Sequence, residues 1–240
     1  MAGDGRDRDF TAVGRALAAP ARSVFLGLLM DGTARPAGEL ARAAGVRAST
    51  ASEHLAVLLE AGLVTSRAQG RHRYYELAGP EVADALEALG GLTGPAPVTG
   101  YRRSREADRL AEARFCYDHL AGRLGVGLTG AWVASGWLVG ESLVLTDAGA
   151  RGLRDLGVEV DAAVRARRPT VRACVDWTER RVHLAGALGA AVGTRFLGAG
   201  WVARTTGRGL RLTPSGQAVV REAWGVELAP AGGGAGRGRA

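Results

Sequence analysis

Lysine, isoleucine and asparagine are absent from all 240 residues. Their codons begin AA or AT, so the joint absence reads as the imprint of a GC-rich genome, and it changes what the charge means. All 31 basic residues are Arg against 24 acids, a net charge of +7. Such a balance ordinarily points to nucleic acid or an anionic surface, but a drift toward Arg produces much of it without any function. Cysteine is nearly absent too: two in the chain exclude a disulfide framework and read as free thiols in a reducing compartment. No apolar run approaches the ~18 uncharged residues of a membrane span. Residues 1–9 are charged, without the apolar core of a secretory signal, so the expected location is the cytoplasm and no membrane partner is expected.

Charge is unevenly placed. Up to Leu92 there are 10 Arg and 11 acids, net −1; after it come 21 Arg and 13 acids, net +8. Residues 1–9 read as a disordered leader and the Gly-rich residues 229–240 as a disordered tail. The Pro/Gly-rich stretch Thr93 to Gly100 breaks both helix and strand, so residues 93–104 are expected to link a first domain, 10–92, to a second, 105–228.

The first domain reads as four helices, a hairpin and a last helix. Helical apolar spacing marks Phe10 to Leu17, Pro20 to Met30, Ala37 to Ala44 and Ser49 to Ala61, with Gly45 and Gly62 as stops. Leu63 to Ala68 and His72 to Leu77 alternate around Gln69-Gly70-Arg71 as a hairpin, and Pro80 opens the last helix. Glu39 to Val64 has the layout of a helix-turn-helix: Ala41 permits close helix approach, Gly45 makes the turn, and the second helix offers Ser49, Thr50, Ser52 and Glu53 to a partner. Arg47 precedes that helix, and the hairpin adds Arg67, Gln69, Arg71, His72 and Arg73. Hydroxyls and amides at a helix start suit phosphates and base edges, and Arg at a hairpin tip suits phosphate or the minor groove, so these ten residues are the expected contacts to double-stranded DNA. An Arg-rich turn is by itself only a solvated turn; the order helix-turn-helix then wing is what carries the reading.

The second domain contains a repeat. His119-Leu-Ala-Gly-Arg-Leu-Gly125 recurs as His183-Leu-Ala-Gly-Ala-Leu-Gly189, and Ser135-Gly-Trp-Leu-Val139 as Ala199-Gly-Trp-Val-Ala203, both at an offset of 64 residues. Leu145-Thr-Asp-Ala-Gly149 recurs as Leu212-Thr-Pro-Ser-Gly216. The expected fold is mainly α with β-hairpin wings: an N-terminal winged helix-turn-helix, then two degenerate winged-helix-like repeats, about 116–160 and 174–228. Each copy reads as a helix, a short strand, a hairpin and a further helix.

Residues 10–92 resemble the winged-helix domain of the ArsR-type (ArsR/SmtB-like) transcriptional regulators, on Val13-Gly-Arg-Ala-Leu-Ala-Ala-Pro-Ala-Arg22, the Glu39 to Val64 segment and Gly70-Arg-His-Arg-Tyr-Tyr75. The resemblance implies a homodimer joined through residues 10–17 and 80–92, and repression of an operator relieved by a small effector, often a metal ion. The Asp usual before the Pro of the second helix is Ala19 here. Positions where a cadmium- and lead-responsive branch carries Cys match Val57 and Ala61, the third helix has no Cys and Val82 to Leu92 has no His, so no metal site is expected at the family positions. Replacement donors, for a soft or borderline metal ion, are Cys116, Asp118 and His119 with Cys174, Asp176 and His183. Against that, Cys is also a small buried hydrophobe, and the His can recur by duplication alone. A thiol switch at these cysteines, or a thiol enzyme with Cys116 as nucleophile beside His119 and Asp118, are the other readings; on a helix, residues so close in sequence converge poorly as a triad. Trp132, Trp137, Trp177, Trp201 and Trp224 suit a core or an organic pocket.

Overall fold

A computed structural model describes residues 9–70, 72–93, 101–205 and 207–228, which fall into two compact units divided between Ala83 and Asp84. The expected leader 1–9, apart from Asp9, the tail 229–240 and Arg71 lie outside the described residues. Among described residues no single helix is long and apolar enough to cross a membrane.

Unit 1 runs α1 (Thr11–Leu17), α2 (Pro20–Leu29), β1 (Arg35–Pro36), α3 (Ala37–Ala44), α4 (Ala48–Glu60), β2 (Val64–Gln69) and β3 (His72–Leu77). The helices fall where apolar spacing places them, and α2 starts from Ala19 without a side-chain cap. Phe25, Leu26, Leu29, Leu40, Leu55 and Leu58 are buried and form the core. Arg22 links the first helices to α4: its guanidinium donates to the carbonyls of Arg15 and Ala16 and to His54 Nδ1 at 3.0 Å. β1 is not legible in the sequence, being two residues long; it pairs with β3 to give the sheet order β1-β3-β2. Asp31 fixes its approach, accepting from the Thr33 amide and hydroxyl and from Arg35, which also pairs with Glu39.

The helix α5 (Pro80–Leu92) straddles the division between units. The division thus falls earlier than the expected linker at 93–104, and residues 101–104 open a helix, α6 (Tyr101–Glu112); residues 94–100 lie outside the described residues. The physical reason is that the second half of α5 is bonded into unit 2. Glu87 accepts from Arg114 at 2.9 Å and pairs with Arg208, Asp84 pairs with Arg172, and Gly90 packs on the Trp177 ring.

Unit 2 then runs twice through hairpin, helix, hairpin and helix, with one further short helix after the first pass. First come β4 (Arg114–Cys116), β5 (His119–Ala121), α7 (Gly122–Ala134), β6 (Leu138–Val139), β7 (Val144–Leu145), α8 (Asp147–Asp155) and the short α9 (Val160–Val164). Next come β8 (Arg172–Val175), β9 (Val182–Ala185), α10 (Gly186–Gly198), β10 (Val202–Arg204), β11 (Leu210–Leu212) and α11 (Pro214–Trp224). Each copy therefore opens with a hairpin that the sequence pattern does not announce. The joints match residue for residue. Thr146 caps α8 by accepting from the Gly149 amide while its hydroxyl donates to the Gly136 carbonyl; Thr213 caps α11 in the same way, with Gly216 and Gly200. Most of the tryptophans pack against one another or against arginine, although Trp224 also borders an open surface pocket beside Arg123, Glu179 and Arg181. Trp132, Trp137, Trp224 and Phe196 interlock with ring centroids 5.6–6.5 Å apart, Trp201 meets Phe196 edge-on, and Arg114 lies over Trp177.

Arg114 is wholly buried, held between Glu87 and Asp176, so removing either side strands a charge. Arg114→Ala is expected to cost about 3–5 kcal/mol of stability, read as a lowered urea midpoint; an unchanged midpoint refutes this role. At Gly216 a Cβ would lie 2.0 Å from the Trp201 carbonyl oxygen, whereas at Gly198 nothing lies within 4 Å. Gly216→Ala should therefore lose about 1–3 kcal/mol by overpacking, and Gly198→Ala should gain about 0.5–1 kcal/mol from helix propensity. Thermal melts of the two variants should shift in opposite directions.

Candidate nucleic-acid interface and buried Cys/His centre

In unit 1 the helix-turn-helix is α3, Gly45–Arg47 and α4. Gly45 adopts φ +66°, a left-handed conformation that its lack of a side chain permits, and its amide returns to the Ala41 and Arg42 carbonyls to end α3. Ala41 and Ala51 are buried where α3 and α4 meet. On the opposite side of α4, Ser49, Ser52 and Glu53 are exposed, with Arg47 exposed at the N-cap and Thr50 half-buried at the edge. Arg47 is extended and its side chain makes no cap hydrogen bond to the first amides of α4. Ser52 donates its hydroxyl back to the Ala48 carbonyl, which leaves its oxygen as an acceptor.

The wing is β2 and β3, with Arg67 opposite Tyr74, Ala68 opposite Arg73, and Gln69 opposite His72. Arg67, Gln69, His72 and Arg73 are all exposed. Because directly opposed residues share a face and neighbours alternate, Arg67, Gln69 and His72 line one face of the ribbon. Arg73 lies on the other, the face that further down buries Tyr75 and Leu77. The four residues, grouped together in the sequence, are thus split between two faces. Val57 and Ala61, which the family resemblance would align with metal-binding thiols, are half-buried and offer no donor.

The second site lies in unit 2 and joins four of the six expected donors. β4 and β5 are linked by a two-residue turn, and Cys116 stands opposite His119; β8 and β9 are linked by a longer turn, and Cys174 stands opposite His183. Placement on hairpin strands corrects the helical geometry assumed for Cys116 and His119. Tyr117, in the first turn, takes φ +62°, a conformation that costs a non-glycine residue about 1–2 kcal/mol. The two hairpins bring the Cys116, His119, Cys174 and His183 ligand atoms within 4.8 Å of one another. Their exposures are 0, 3, 7 and 0%. The two sulfurs are 4.0 Å apart and the two imidazoles stack at 5.0 Å between centroids.

Glycines make the closure possible. A Cβ at Gly125 of α7 would meet the Leu120 carbonyl oxygen at 2.3 Å and stand against His183; one at Gly189 of α10 would meet the Leu184 carbonyl at 2.6 Å and His119 Cβ at 3.1 Å. Each half thus closes its helix over the histidine of the other.

Asp118 and Asp176, expected among the ligands, are engaged elsewhere. Asp118 accepts from His119 Nδ1 at 3.2 Å and from Arg168 at 2.6 Å. Burial works against its charged form, but these donors hold its pKa below the ordinary carboxylate value. Asp176 accepts from Arg114 at 3.0 Å, from Thr178 and from the amides of Gly122, Thr178 and Glu179. Despite burial, the Arg114 guanidinium and these donors hold it far below the usual carboxylate range. Its Oδ2 is also 3.8 Å from His183 Nδ1.

His119 Nε2 and both ring nitrogens of His183 are buried without a hydrogen-bond partner. Burial opposes protonation of His119, but the hydrogen bond and charge of Asp118 outweigh it and lift its pKa to about 9. The Cys116 thiol is pushed up to about 12 by its contact with Cys174 and by burial. It is thus a thiol, not a thiolate, and is shielded from solvent.

A Helix-turn-helix domain family profile matches residues 17–67. HTH-type transcriptional regulator YdfF of Bacillus subtilis (strain 168) is 40% identical over 215 residues, covering 88% of this chain and 95% of its own. HTH-type transcriptional regulator CmtR of Mycobacterium tuberculosis (strain ATCC 25618 / H37Rv) is 40% identical over 84 residues, 35% of this chain and 70% of its own. Among solved structures, the homodimeric winged helix-turn-helix DNA-binding domain of a possible ArsR-family regulator from Mycobacterium bovis is 34% identical and covers 38% of this chain and 89% of that one, with a TM-score of 0.33. With a relative aligned along nearly its whole length and the helix-turn-helix in place, the chain belongs to the ArsR-type family of winged helix-turn-helix, DNA-binding transcriptional regulators.

Proposed function

We propose that this regulator is a cytoplasmic, homodimeric repressor that holds double-stranded operator DNA through α4 and the β2–β3 wing and is released by a small effector. The observation that carries the reading is the exposed polar face of α4, Arg47, Ser49, Ser52 and Glu53, followed by a wing with Arg67, Gln69, His72 and Arg73 exposed. The uncapped α4 amides suit a phosphate, the serines and Glu53 suit base edges, and the wing arginines suit backbone phosphate or the minor groove. Arg71 and half-buried Thr50 belong to the same set. Regulation rather than catalysis fits the second site, since a protonated, buried Cys116 lacks both the charge and the access of a nucleophile. Dimerisation through residues 10–17 and 80–92 is supported by exposed Phe10 on the first segment and Leu89 and Leu92 on the second.

A second reading concerns the effector. The Cys116, His119, Cys174 and His183 cluster favours a metal- or thiol-responsive sensor in unit 2. One similar protein of solved structure, CMTR from Mycobacterium tuberculosis, is a cadmium metal-sensor.

In a mobility-shift titration on the DNA upstream of its own gene, Arg47→Ala, Arg67→Ala and Arg73→Ala should each weaken binding and flatten the log–log salt slope by about one unit. Arg154→Ala, which removes an exposed pair with Asp161 in unit 2, should leave the slope unchanged. Failure of the wild-type chain to prefer that DNA over competitor would refute the operator reading. In sedimentation velocity, Phe10→Glu with Leu92→Glu should convert a dimer into a monomer with unchanged circular dichroism; a persistent dimer would place the interface elsewhere.

A further inference from the structure

We propose that Cys116, His119, Cys174 and His183 bind one thiophilic divalent cation of the zinc, cadmium or cobalt class in a closed tetrahedral site shared equally by the two halves of unit 2. This deepens the effector reading above and rests on it only for the link to DNA.

Geometry, unpartnered donors and charge carry the site. The 4.0 Å separation of the sulfurs matches the edge of about 3.8 Å for a tetrahedron with metal–sulfur bonds of about 2.3 Å. A disulfide would draw the sulfurs to about 2.05 Å and give the imidazoles nothing. His119 Nε2 and the two His183 nitrogens are buried without hydrogen-bond partners, and an ion satisfies Nε2 of His119 and one nitrogen of His183. Two thiolates and two neutral imidazoles carry a charge of −2, so a divalent ion makes the buried centre neutral; the two thiol protons and the proton that His119 holds at neutral pH leave to solvent, and no redox change occurs. The surroundings also fit. Asp118 holds His119 Nδ1, the outer carboxylate that commonly orients a metal-bound histidine, and frees Nε2 for the ion. Absence of a carboxylate among the four, since both aspartates are engaged, disfavours magnesium, calcium and manganese. Near-complete burial with four protein donors leaves no open position, as in a binding centre rather than a catalytic one.

The test is a Co²⁺ titration of the reduced, metal-free full chain without DNA. Expected are saturation at one Co²⁺ per chain, intense tetrahedral d–d bands with sulfur-to-cobalt charge transfer, and their loss on adding one equivalent of Zn²⁺. Cys116→Ser and Cys174→Ser should each weaken the charge-transfer band. Asp118→Asn should keep the spectrum and lower affinity about 10- to 100-fold. A wild-type chain that is folded by circular dichroism yet gives no tetrahedral spectrum overturns the proposal, whatever happens to the variants. So does a chain that refuses Co²⁺ when reduced and yields a Cys116–Cys174 disulfide peptide on mild oxidation. The readout involves no DNA, so its failure leaves the operator reading intact, and a failed mobility shift leaves the metal centre intact.

Discussion

The buried Arg114 guanidinium is the constraint around which unit 2 is arranged. A fixed positive charge with no exposed surface is tolerated only when counter-charges and acceptors are brought to it, and here they come from distant parts of the chain. Glu87 arrives from α5, Asp176 from the turn after β8, the Leu110 carbonyl from α6 and the Thr178 hydroxyl from the same turn as Asp176. Asp176 in turn accepts the Gly122 amide at the start of α7. One ionic knot therefore fixes two hairpins, the first residue of a helix and the later part of α5. The same Asp176 stands beside His183, so the knot and the Cys/His centre share a wall.

This arrangement explains why a domain boundary is hard to see. The Pro/Gly-rich stretch after Leu92 has the composition of a linker, but composition reports local stiffness and not where long-range contacts are made. The acids that bind α5 into unit 2, Asp84 and Glu87, look in the sequence like the solvated face of an amphipathic helix. Only their partners, Arg172 and Arg114, show otherwise.

The helix-turn-helix is legible nearly to the residue because each of its parts leaves a local mark: apolar residues at helical spacing, Gly45 at the turn, alternation along the wing. The Cys/His centre is legible as a set of donors but not as a site. Its strands β4 and β5 are three residues long and buried on every residue, so no alternation betrays them. The halves are also out of step: Cys116 and His119 are three residues apart and Cys174 and His183 nine, which disguises the equivalence. A signal is nonetheless present. The cysteines are offset by 58 residues and the histidines by 64, and the six-residue difference must sit between Cys and His, which is where a lengthened turn would place it. Arg114 leaves no such mark, since an arginine in this composition reads as surface.

The β2–β3 register has a consequence for how the wing can change over time. Its outward face carries Arg67, Gln69 and His72, while Arg73 shares a face with buried Tyr75 and Leu77. Side chains alternate with a period of two, so losing or gaining one residue within either strand would turn that strand over and drive core residues into solvent. Lengthening by pairs keeps both faces. The wing can therefore drift in the identity of its exposed residues and in even steps of strand length, while a single-residue insertion within a strand must be absorbed locally as a bulge.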